Sequence, residues 1–302
     1  MNARVNPFRG TGIALVTPFN AQHEVDYAAL AKLVHHCIAG GVEFLVALGT
    51  TAETATLTAD EKHRVVAAIC EAAAGRVPVV QGVGGNDSAK VAAELKAGLH
   101  EGISGVLSVS PYYNKPTQEG LYQHFKAIAE AVPDLPIILY NVPGRTVADL
   151  SNDTTIRLAQ VPGVIGIKDA TGNLERGSFL LAELKSKKLD HFAVYSGDDL
   201  TAIFLMLMGG HGNISVTANV APRLMSALCK AAIAGDTQKA RSIQYQLLAV
   251  HKMMFIEANP IPVKWALHQM GKMEAGIRLP LTPLSQDLRE PLKQALQNAG
   301  LV

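Results

Sequence analysis

The amino-acid sequence predicts a (β/α)8 TIM barrel with a C-terminal helical appendage. Short apolar runs rich in β-branched residues alternate eight times with segments of helical spacing, and this alternation indicates a parallel sheet. Eight such repeats within about 235 residues agree with this barrel in number and in length. We therefore expect the barrel over residues 1–235 and a helical region over residues 236–302.

The predicted strands are the apolar runs that turn-forming residues interrupt. They cover residues 12–17, 44–50, 78–84, 105–112, 136–142, 163–169, 192–197 and 212–217. Helical spacing follows the first three strands, over residues 27–39, 59–74 and 88–101. Thr58 and Glu61 form a capping-box pattern at the start of the second of these helices.

Beyond residue 235 the alternation stops. Helical spacing continues over 236–256, 261–270 and 285–299, and no further strand is evident. The prolines of the segment 259–262 separate the first two of these helices. A doubly wound sheet is the alternative fold, but it would be favoured by a glycine fingerprint after the first strand. Thr17-Pro18-Phe19-Asn20 stands there instead.

The composition favours a protein with a large core and excludes several kinds of partner. The chain is 48% hydrophobic and 18% charged, with a net charge of +1 and no basic run, so nucleic acid is not an expected partner. The N-terminus lacks the apolar segment of a signal peptide, and the longest apolar run, 200–208, is too short to span a bilayer. Three widely spaced cysteines indicate a reducing compartment. We expect a soluble cytoplasmic protein with no membrane contact.

Lys168 gives the clearest chemical signal, because it lies in an apolar strand at residues 163–169. Such a strand belongs to a buried parallel sheet. Partial desolvation favours the free amine, which is the nucleophile in Schiff-base formation with a carbonyl substrate. The alternative is a structural lysine paired with Asp169 or another carboxylate.

Metal chemistry fits poorly, because His35 and His36 are adjacent on a helix and no HExxH motif occurs.

Polar residues also follow several other predicted strands, where the active site of a barrel lies. These candidates are Thr50, Thr51, Tyr113, Tyr140, Arg145 and Gly197. Each has a structural alternative: the threonines as helix caps, the tyrosine pair 112–113 as a subunit contact, and the segment 141–144 as a simple turn. Their convergence on one end of the barrel favours a shared site.

Six segments resemble the dihydrodipicolinate synthase family of pyruvate-dependent class I aldolases. They are Gly49-Thr50-Thr51-Ala52-Glu53, Pro111-Tyr112-Tyr113-Asn114-Lys115-Pro116, Tyr140-Asn141-Val142-Pro143-Gly144-Arg145-Thr146, Gly166-Ile167-Lys168-Asp169, Ser196-Gly197-Asp198-Asp199 and Asn259-Pro260-Ile261-Pro262-Val263-Lys264. The resemblance runs over nearly the whole chain. It departs at Ala52, where glycine is frequent, and we expect little consequence because alanine is small.

The resemblance implies a covalent mechanism without a metal or organic cofactor. Lys168 is expected to form the Schiff base with pyruvate. Tyr140 is the implied general acid–base, and Thr50 and Tyr113 are its implied relay partners. Tyr113 is expected to reach the site from a neighbouring subunit of a homotetramer built as a dimer of dimers.

The same resemblance implies contacts for both substrates. Thr51 is expected to hold the pyruvate carboxylate, and Gly197 and Ile214 are expected to line the pyruvate pocket. Arg145 resembles the residue that holds the carboxylate of the second substrate, L-aspartate-4-semialdehyde. The implied activity condenses these two substrates in the diaminopimelate route to lysine.

Two alternatives remain open on the sequence. N-acetylneuraminate lyase and 2-keto-3-deoxy sugar-acid aldolases share the lysine, the tyrosine and the barrel, but they tend to lack an arginine at the place of Arg145. A non-catalytic scaffold barrel is expected to lose Lys168 or Tyr140, and both are present.

Regulation by L-lysine, which inhibits many members of this family between subunits, is expected to be weak. Tyr112 and Asn86 match residues of that inhibitor site. Ala59 and Lys62 stand where sensitive members often carry histidines, and Lys90 stands where they carry a glutamate. A lysine at this position repels the ammonium group that the glutamate would attract.

Overall fold

The computed structural model describes residues 6–302, and these residues form a closed barrel of eight parallel strands in chain order. The first strand closes the barrel by pairing with the last, with Gly12 opposite Ile214. The strands are β1 (Gly10–Ala14), β2 (Phe44–Ala47), β3 (Val79–Gly82), β4 (Ile103–Val109), β5 (Ile137–Asn141), β6 (Val164–Asp169), β7 (Ala193–Ser196) and β8 (Gly212–Ser215). The predicted (β/α)8 fold is therefore confirmed.

Twelve α-helices occur within residues 6–302. Those up to residue 233 are α1 (Tyr27–Ala39), α2 (Ala59–Ala73), α3 (Ser88–Lys96), α4 (Gln118–Ala131), α5 (Pro143–Thr146), α6 (Asn152–Leu158), α7 (Leu174–Ser186), α8 (Ala202–Leu207) and α9 (Pro222–Ile233). The C-terminal helices are α10 (Thr237–Met253), α11 (Ile261–Gln269) and α12 (Gln286–Asn298). The predicted capping box at Thr58 and Glu61 is present, with both reciprocal hydrogen bonds formed.

Both faces of the strands are buried, which explains their continuous apolar sequences. On β2, Phe44 and Val46 join the cluster inside the barrel, whereas Leu45 and Ala47 pack against the surrounding helices. Successive side chains of a strand point to opposite faces, so a strand between the barrel interior and a helical layer needs apolar residues at nearly every position. The same alternation decides which polar side chains enter the interior.

All eight predicted strands exist, but the predicted ends extend too far in most of them. The second strand was predicted to reach residue 50, and β2 ends at Ala47. Leu48 then adopts a left-handed backbone with φ of 53°, so the chain leaves the sheet. The predicted helix 88–101 is also too long: α3 ends at Lys96, shortly before Gly98 with φ of 97°.

The C-terminal helical region packs back onto the barrel. Gln244 of α10 donates a hydrogen bond to the carbonyl of Leu200 at 3.1 Å. Lys264 of α11 forms a buried ion pair with Glu53, which follows β2. The division of the chain at residue 235 stays a prediction. Among residues 6–302, no helix combines the length and the apolar character that a membrane crossing requires.

Candidate active site

Lys168 lies at the carboxyl end of β6, and its side chain enters the barrel interior. Its neighbour Ile167 packs in the outer layer, and alternation therefore directs Lys168 to the opposite face. Only 5% of Lys168 is exposed. In the sheet, Lys168 is paired with Tyr140 of β5 on one side and Tyr195 of β7 on the other. The Lys168 Nζ atom lies 4.4 Å from the centre of the Tyr140 ring.

No carboxylate within residues 6–302 forms an ion pair with Lys168. Asp169, the partner considered from the sequence, instead forms an ion pair with Arg176, at 3.2 Å between Oδ2 and Nε. The alternative of a structural Lys168–Asp169 pair is therefore wrong, because adjacent strand residues face opposite sides of the sheet. Lys264 provides a contrast, since this equally buried lysine is paired with Glu53.

Gly197 follows β7 and leaves room for the Lys168 side chain. A Cβ atom at Gly197 would lie 2.8 Å from Lys168 Cε and 2.7 Å from Ala170 Cβ. Its backbone N–H donates to the carbonyl of Asp169 at 2.7 Å, which fixes the separation between the two strand ends. Glycine at position 197 therefore leaves the space that the Lys168 side chain occupies.

Replacing Gly197 with alanine is expected to destabilise the folded protein. The added methyl group must displace either the Lys168 stem or Ala170, and overpacking of this kind typically costs about 1–3 kcal/mol of stability. Thermal unfolding of the variant beside the parent protein measures this cost. An unchanged melting temperature would show that the site relaxes around the methyl group.

Thr50 and Thr51 lie in a 3-10 turn after β2, and the turn spans Thr50–Ala52. Thr50 is half-buried, whereas Thr51 is buried. The structure assigns no side-chain capping bond at the start of this turn. Instead, Thr51 Oγ1 accepts a hydrogen bond from Asn259 Nδ2 at 2.9 Å. The Thr51 hydroxyl is thus oriented by a residue of the C-terminal region.

Arg145 lies in the short helix α5, which begins directly after β5 and Val142. The side chain is exposed, and its Nη2 atom donates to the carbonyl of Asn259 at 3.1 Å. Asn259 therefore contacts both Thr51 and Arg145. From the sequence, the segment around Asn259 was predicted to break the helices and was one of the six segments that resemble the family, but no contact of Asn259 was predicted. The sequence contains no local signal for these contacts, because the partners are more than 100 residues away.

The two remaining candidates lie in different environments. Ile214 of β8 is buried in the same interior cluster as Tyr140. Tyr113 is 86% exposed, and its φ of 72° places the backbone in the left-handed region. Within its own chain, Tyr113 therefore lies on the surface, outside the interior cluster that contains Tyr140.

A network of polar side chains behind β5 and β6 was not predicted. Asn141 Nδ2 donates to Asp149 Oδ1 at 2.9 Å, and the guanidinium of Arg176 donates to both Asp149 oxygens at 2.8 and 2.9 Å. Because Arg176 also pairs with Asp169, the network joins the ends of the two strands that carry Tyr140 and Lys168. Charge-assisted bonds of this type fix geometry as well as adding energy.

A model of the dihydrodipicolinate synthetase family matches residues 7–299. The chain belongs to the dihydrodipicolinate synthetase family. The family resemblance found in the six sequence segments is thereby confirmed.

Several members of the dihydrodipicolinate synthetase family are close to this chain in sequence. The 4-hydroxy-tetrahydrodipicolinate synthase of Polynucleobacter asymbioticus is 58% identical over 294 residues, which cover 97% of this chain and 95% of that protein. The enzyme of the same name from Acidovorax sp. (strain JS42) is 53% identical over 296 residues, with 98% of each chain covered.

Solved structures of the family have the same fold. The chloride-inhibited dihydrodipicolinate synthase from Acinetobacter baumannii, complexed with pyruvate, superimposes with a TM-score of 0.94 at 52% identity. The alignment covers 98% of this chain and all of that chain. A monomeric dihydrodipicolinate synthase variant gives a TM-score of 0.93 at 41% identity, with 98% of both chains covered.

Proposed function

We propose that this chain condenses pyruvate with L-aspartate-4-semialdehyde, the reaction of a 4-hydroxy-tetrahydrodipicolinate synthase in the diaminopimelate route to lysine. The observation that carries the proposal is the position of Lys168 in a member of this family. Its amine lies inside the barrel mouth against the Tyr140 ring, with no ion-paired carboxylate among residues 6–302. The enzyme is a lyase of the class I aldolase type.

The covalent step begins when the Lys168 amine attacks the ketone of pyruvate and water leaves. The resulting iminium withdraws electrons, so the pyruvate methyl group loses a proton and becomes an enamine. The lysine–pyruvate adduct itself serves as the electron sink, and the reaction uses no external cofactor. The enamine then attacks the aldehyde of the second substrate. The amine of that substrate closes the ring and releases Lys168.

Proton transfer requires a group near the adduct, and Tyr140 is the proposed group because its ring lies beside the Lys168 amine. A phenol has an ordinary pKa near ~10, so a hydroxyl relay is needed to move protons near neutral pH. Thr50 and Tyr113 are the proposed partners in this relay. Thr50 opens the turn after β2, and Tyr113 is exposed at the surface of its own chain. We assign Tyr113 to the site of a neighbouring subunit.

Substrate recognition is assigned to four further residues. Thr51, fixed by Asn259, holds the pyruvate carboxylate, while Gly197 and Ile214 line the pocket beside Lys168. Arg145 holds the carboxylate of the semialdehyde, because a guanidinium can bind a carboxylate through two parallel hydrogen bonds.

A product assay tests the proposed reaction against its closest alternative. Pyruvate with L-aspartate-4-semialdehyde is expected to give the cyclic product, whereas pyruvate with N-acetylmannosamine is expected to give none. The presence of Arg145 favours this outcome over the sugar-acid aldolases. Faster condensation with N-acetylmannosamine would assign the chain to the lyase activity instead.

Replacing Arg145 with alanine is expected to weaken the use of the semialdehyde and to leave imine formation with pyruvate intact. The loss of one charge-assisted carboxylate contact costs about 1.5–3 kcal/mol. Steady-state kinetics with each substrate varied in turn, together with borohydride trapping, separates the two effects. Equal damage to imine formation would show that Arg145 has a structural role.

We further propose that the enzyme is a homotetramer built as a dimer of dimers. Two separate exposed apolar surfaces support this assembly. One contains Tyr112 and Tyr113, and the other contains Phe179 of α7 with Phe204 and Met208 at α8. Sedimentation velocity is expected to show a main species whose mass is four times the chain mass of 32.1 kDa. A single species of one chain mass, as in the monomeric variant of a relative, would contradict the proposal.

We also propose a cytoplasmic location. All three cysteines are free thiols, which agrees with a reducing compartment. Fractionation of cells that express the protein is expected to recover it with cytoplasmic markers, and recovery with an exported fraction would oppose this location.

L-Lysine is expected to inhibit this enzyme weakly or not at all. Lys90 lies 3.6 Å from Asp87 and its side chain is 86% exposed, so its repulsion of a bound ammonium group is at the weak end, about 1 kcal/mol. Replacement of an attractive glutamate by this repulsion still lowers affinity by at least about tenfold. An initial-rate titration with L-lysine measures the effect. Strong inhibition at low lysine concentration would show that Ala59, Lys62 and Lys90 are tolerated.

A further inference from the structure

The turn that carries Thr50 and Thr51 is fastened by side chains of the C-terminal region. Asn259 holds the Thr51 hydroxyl at 2.9 Å, and Lys264, in the helix that follows Asn259, pairs with Glu53. The side chains of Lys264 and Glu53 are only 3% and 1% exposed. Both contacts span more than 200 residues of sequence, so the two regions meet only in the folded barrel.

Glu53 has a backbone conformation that needs support. It ends the Thr50–Ala52 turn with φ of 53° and ψ of 37°, a left-handed conformation that is unfavourable for a residue with a side chain. Such a conformation persists when the surrounding structure fixes it. One carboxylate oxygen of Glu53 accepts from Lys264, and the other accepts from the backbone N–H of Arg278 at 3.1 Å.

The cations around Glu53 are themselves fixed by an aromatic ring. Lys264 Nζ lies 4.0 Å from the centre of the Phe19 ring, and the Arg278 guanidinium lies 4.3 Å from it. Burial lowers the pKa of Lys264 to about 8, although the carboxylate of Glu53 acts in the opposite direction. Glu53 therefore favours the charged form of a lysine that burial would otherwise neutralise.

We propose that the Lys264–Glu53 pair is a positioning device that sets the Thr50–Thr51 turn for binding of the pyruvate carboxylate. This inference rests on the proposed role of Thr51. Neither member of the pair is assigned a contact with substrate, so their effect on the reaction passes through the turn. Buried ion pairs are often no more stabilising than apolar residues of the same shape, so stability alone does not explain this pair. Glu53 lies at the end of the turn, and the pair can therefore fix the conformation of that turn.

The test measures pyruvate binding in Lys264→Met and Glu53→Gln. The readout is the pyruvate concentration that gives half-maximal borohydride trapping on Lys168, at a temperature where melting curves show a folded protein. We expect this concentration to rise about tenfold or more, because a displacement of ~1 Å in a positioned group can cost about 100-fold. Lys230→Met is the control, with the same substitution at a more exposed ion pair. It removes an ion pair with Glu43 at 3.1 Å that has no contact with the turn, and its trapping is expected to match the parent protein.

A purely structural pair would give a different pattern. The melting temperature would fall, while half-maximal trapping would stay at the parent pyruvate concentration, and this result would overturn the inference. If Lys264→Met does not fold, Glu53→Gln decides, because glutamine keeps the shape and the oxygen acceptor for Arg278. Thr51→Val tests the proposed function separately. If the pyruvate concentration for half-maximal trapping is unchanged in Thr51→Val, then Thr51 does not hold the carboxylate. If that concentration rises in Thr51→Val but not in Lys264→Met or Glu53→Gln, only the positioning role of the pair is refuted.

Discussion

Replacing Lys168 with methionine is expected to lower turnover by at least about 10³-fold, because the nucleophile of the covalent step is lost. The variant is expected to fold and to be more stable than the parent by on the order of 1 kcal/mol. An amine that lies in an apolar interior without an ion-paired carboxylate opposes folding, and methionine fills a similar volume without a charge. Steady-state rates and thermal unfolding measure the two effects.

Chemical trapping identifies the reacting lysine directly. Borohydride reduction of the parent enzyme with pyruvate is expected to add a pyruvate-derived mass to the peptide that contains Lys168, and Lys168→Met is expected to add none. Lys264→Met serves as the comparison, because it removes an equally buried lysine that has a carboxylate partner. It is expected to lower stability and to keep the adduct on Lys168. An adduct on another lysine would refute the assignment.

Replacing Tyr140 with phenylalanine is expected to reduce kcat by about 10²–10⁴-fold, the usual contribution of a general acid–base. The phenylalanine ring keeps the packing against Lys168, so the imine still forms and the pyruvate pocket keeps its shape. Proton removal from the pyruvate methyl group becomes slow instead. Exchange of these methyl protons with deuterated solvent, followed by NMR, isolates this step from the attack on the second substrate.

Tyr195→Phe is a matched control for Tyr140→Phe. Tyr195 is the neighbour of Lys168 on the other side of β6, but its hydroxyl donates to the carbonyl of Phe8 and lies 3.2 Å from Asn6 Oδ1. Burial raises the pKa of Tyr195, which makes loss of the proton from its hydroxyl less favourable. We expect normal methyl-proton exchange and a modest loss of stability, about 1–3 kcal/mol. Equal loss of exchange in both variants would show that a general change in packing is responsible.

The periodicity of the sequence was enough to predict the strands and the order of the barrel, but not the strand ends. Apolar runs continue past the ends of β2 and β8, because Leu48 and Val216 stay buried after strand pairing has ended. Burial and sheet hydrogen bonding stop at different residues. The helix predicted for 27–39 agrees with α1, since Asp26 caps its start and Gly40 follows its end.

The sequence by itself determined the eightfold alternation, the family and the lysine that the apolar strand contains, because these depend on patterns within a few residues or on short motifs. Only the tertiary structure decided that Asp169 pairs with Arg176 rather than Lys168, since strand alternation and the packing of α7 place them together. It also decided that Asn259 and Lys264 hold the turn after β2. Contacts across more than 200 residues form only when the barrel closes and the C-terminal helices pack onto it, and no local pattern encodes them.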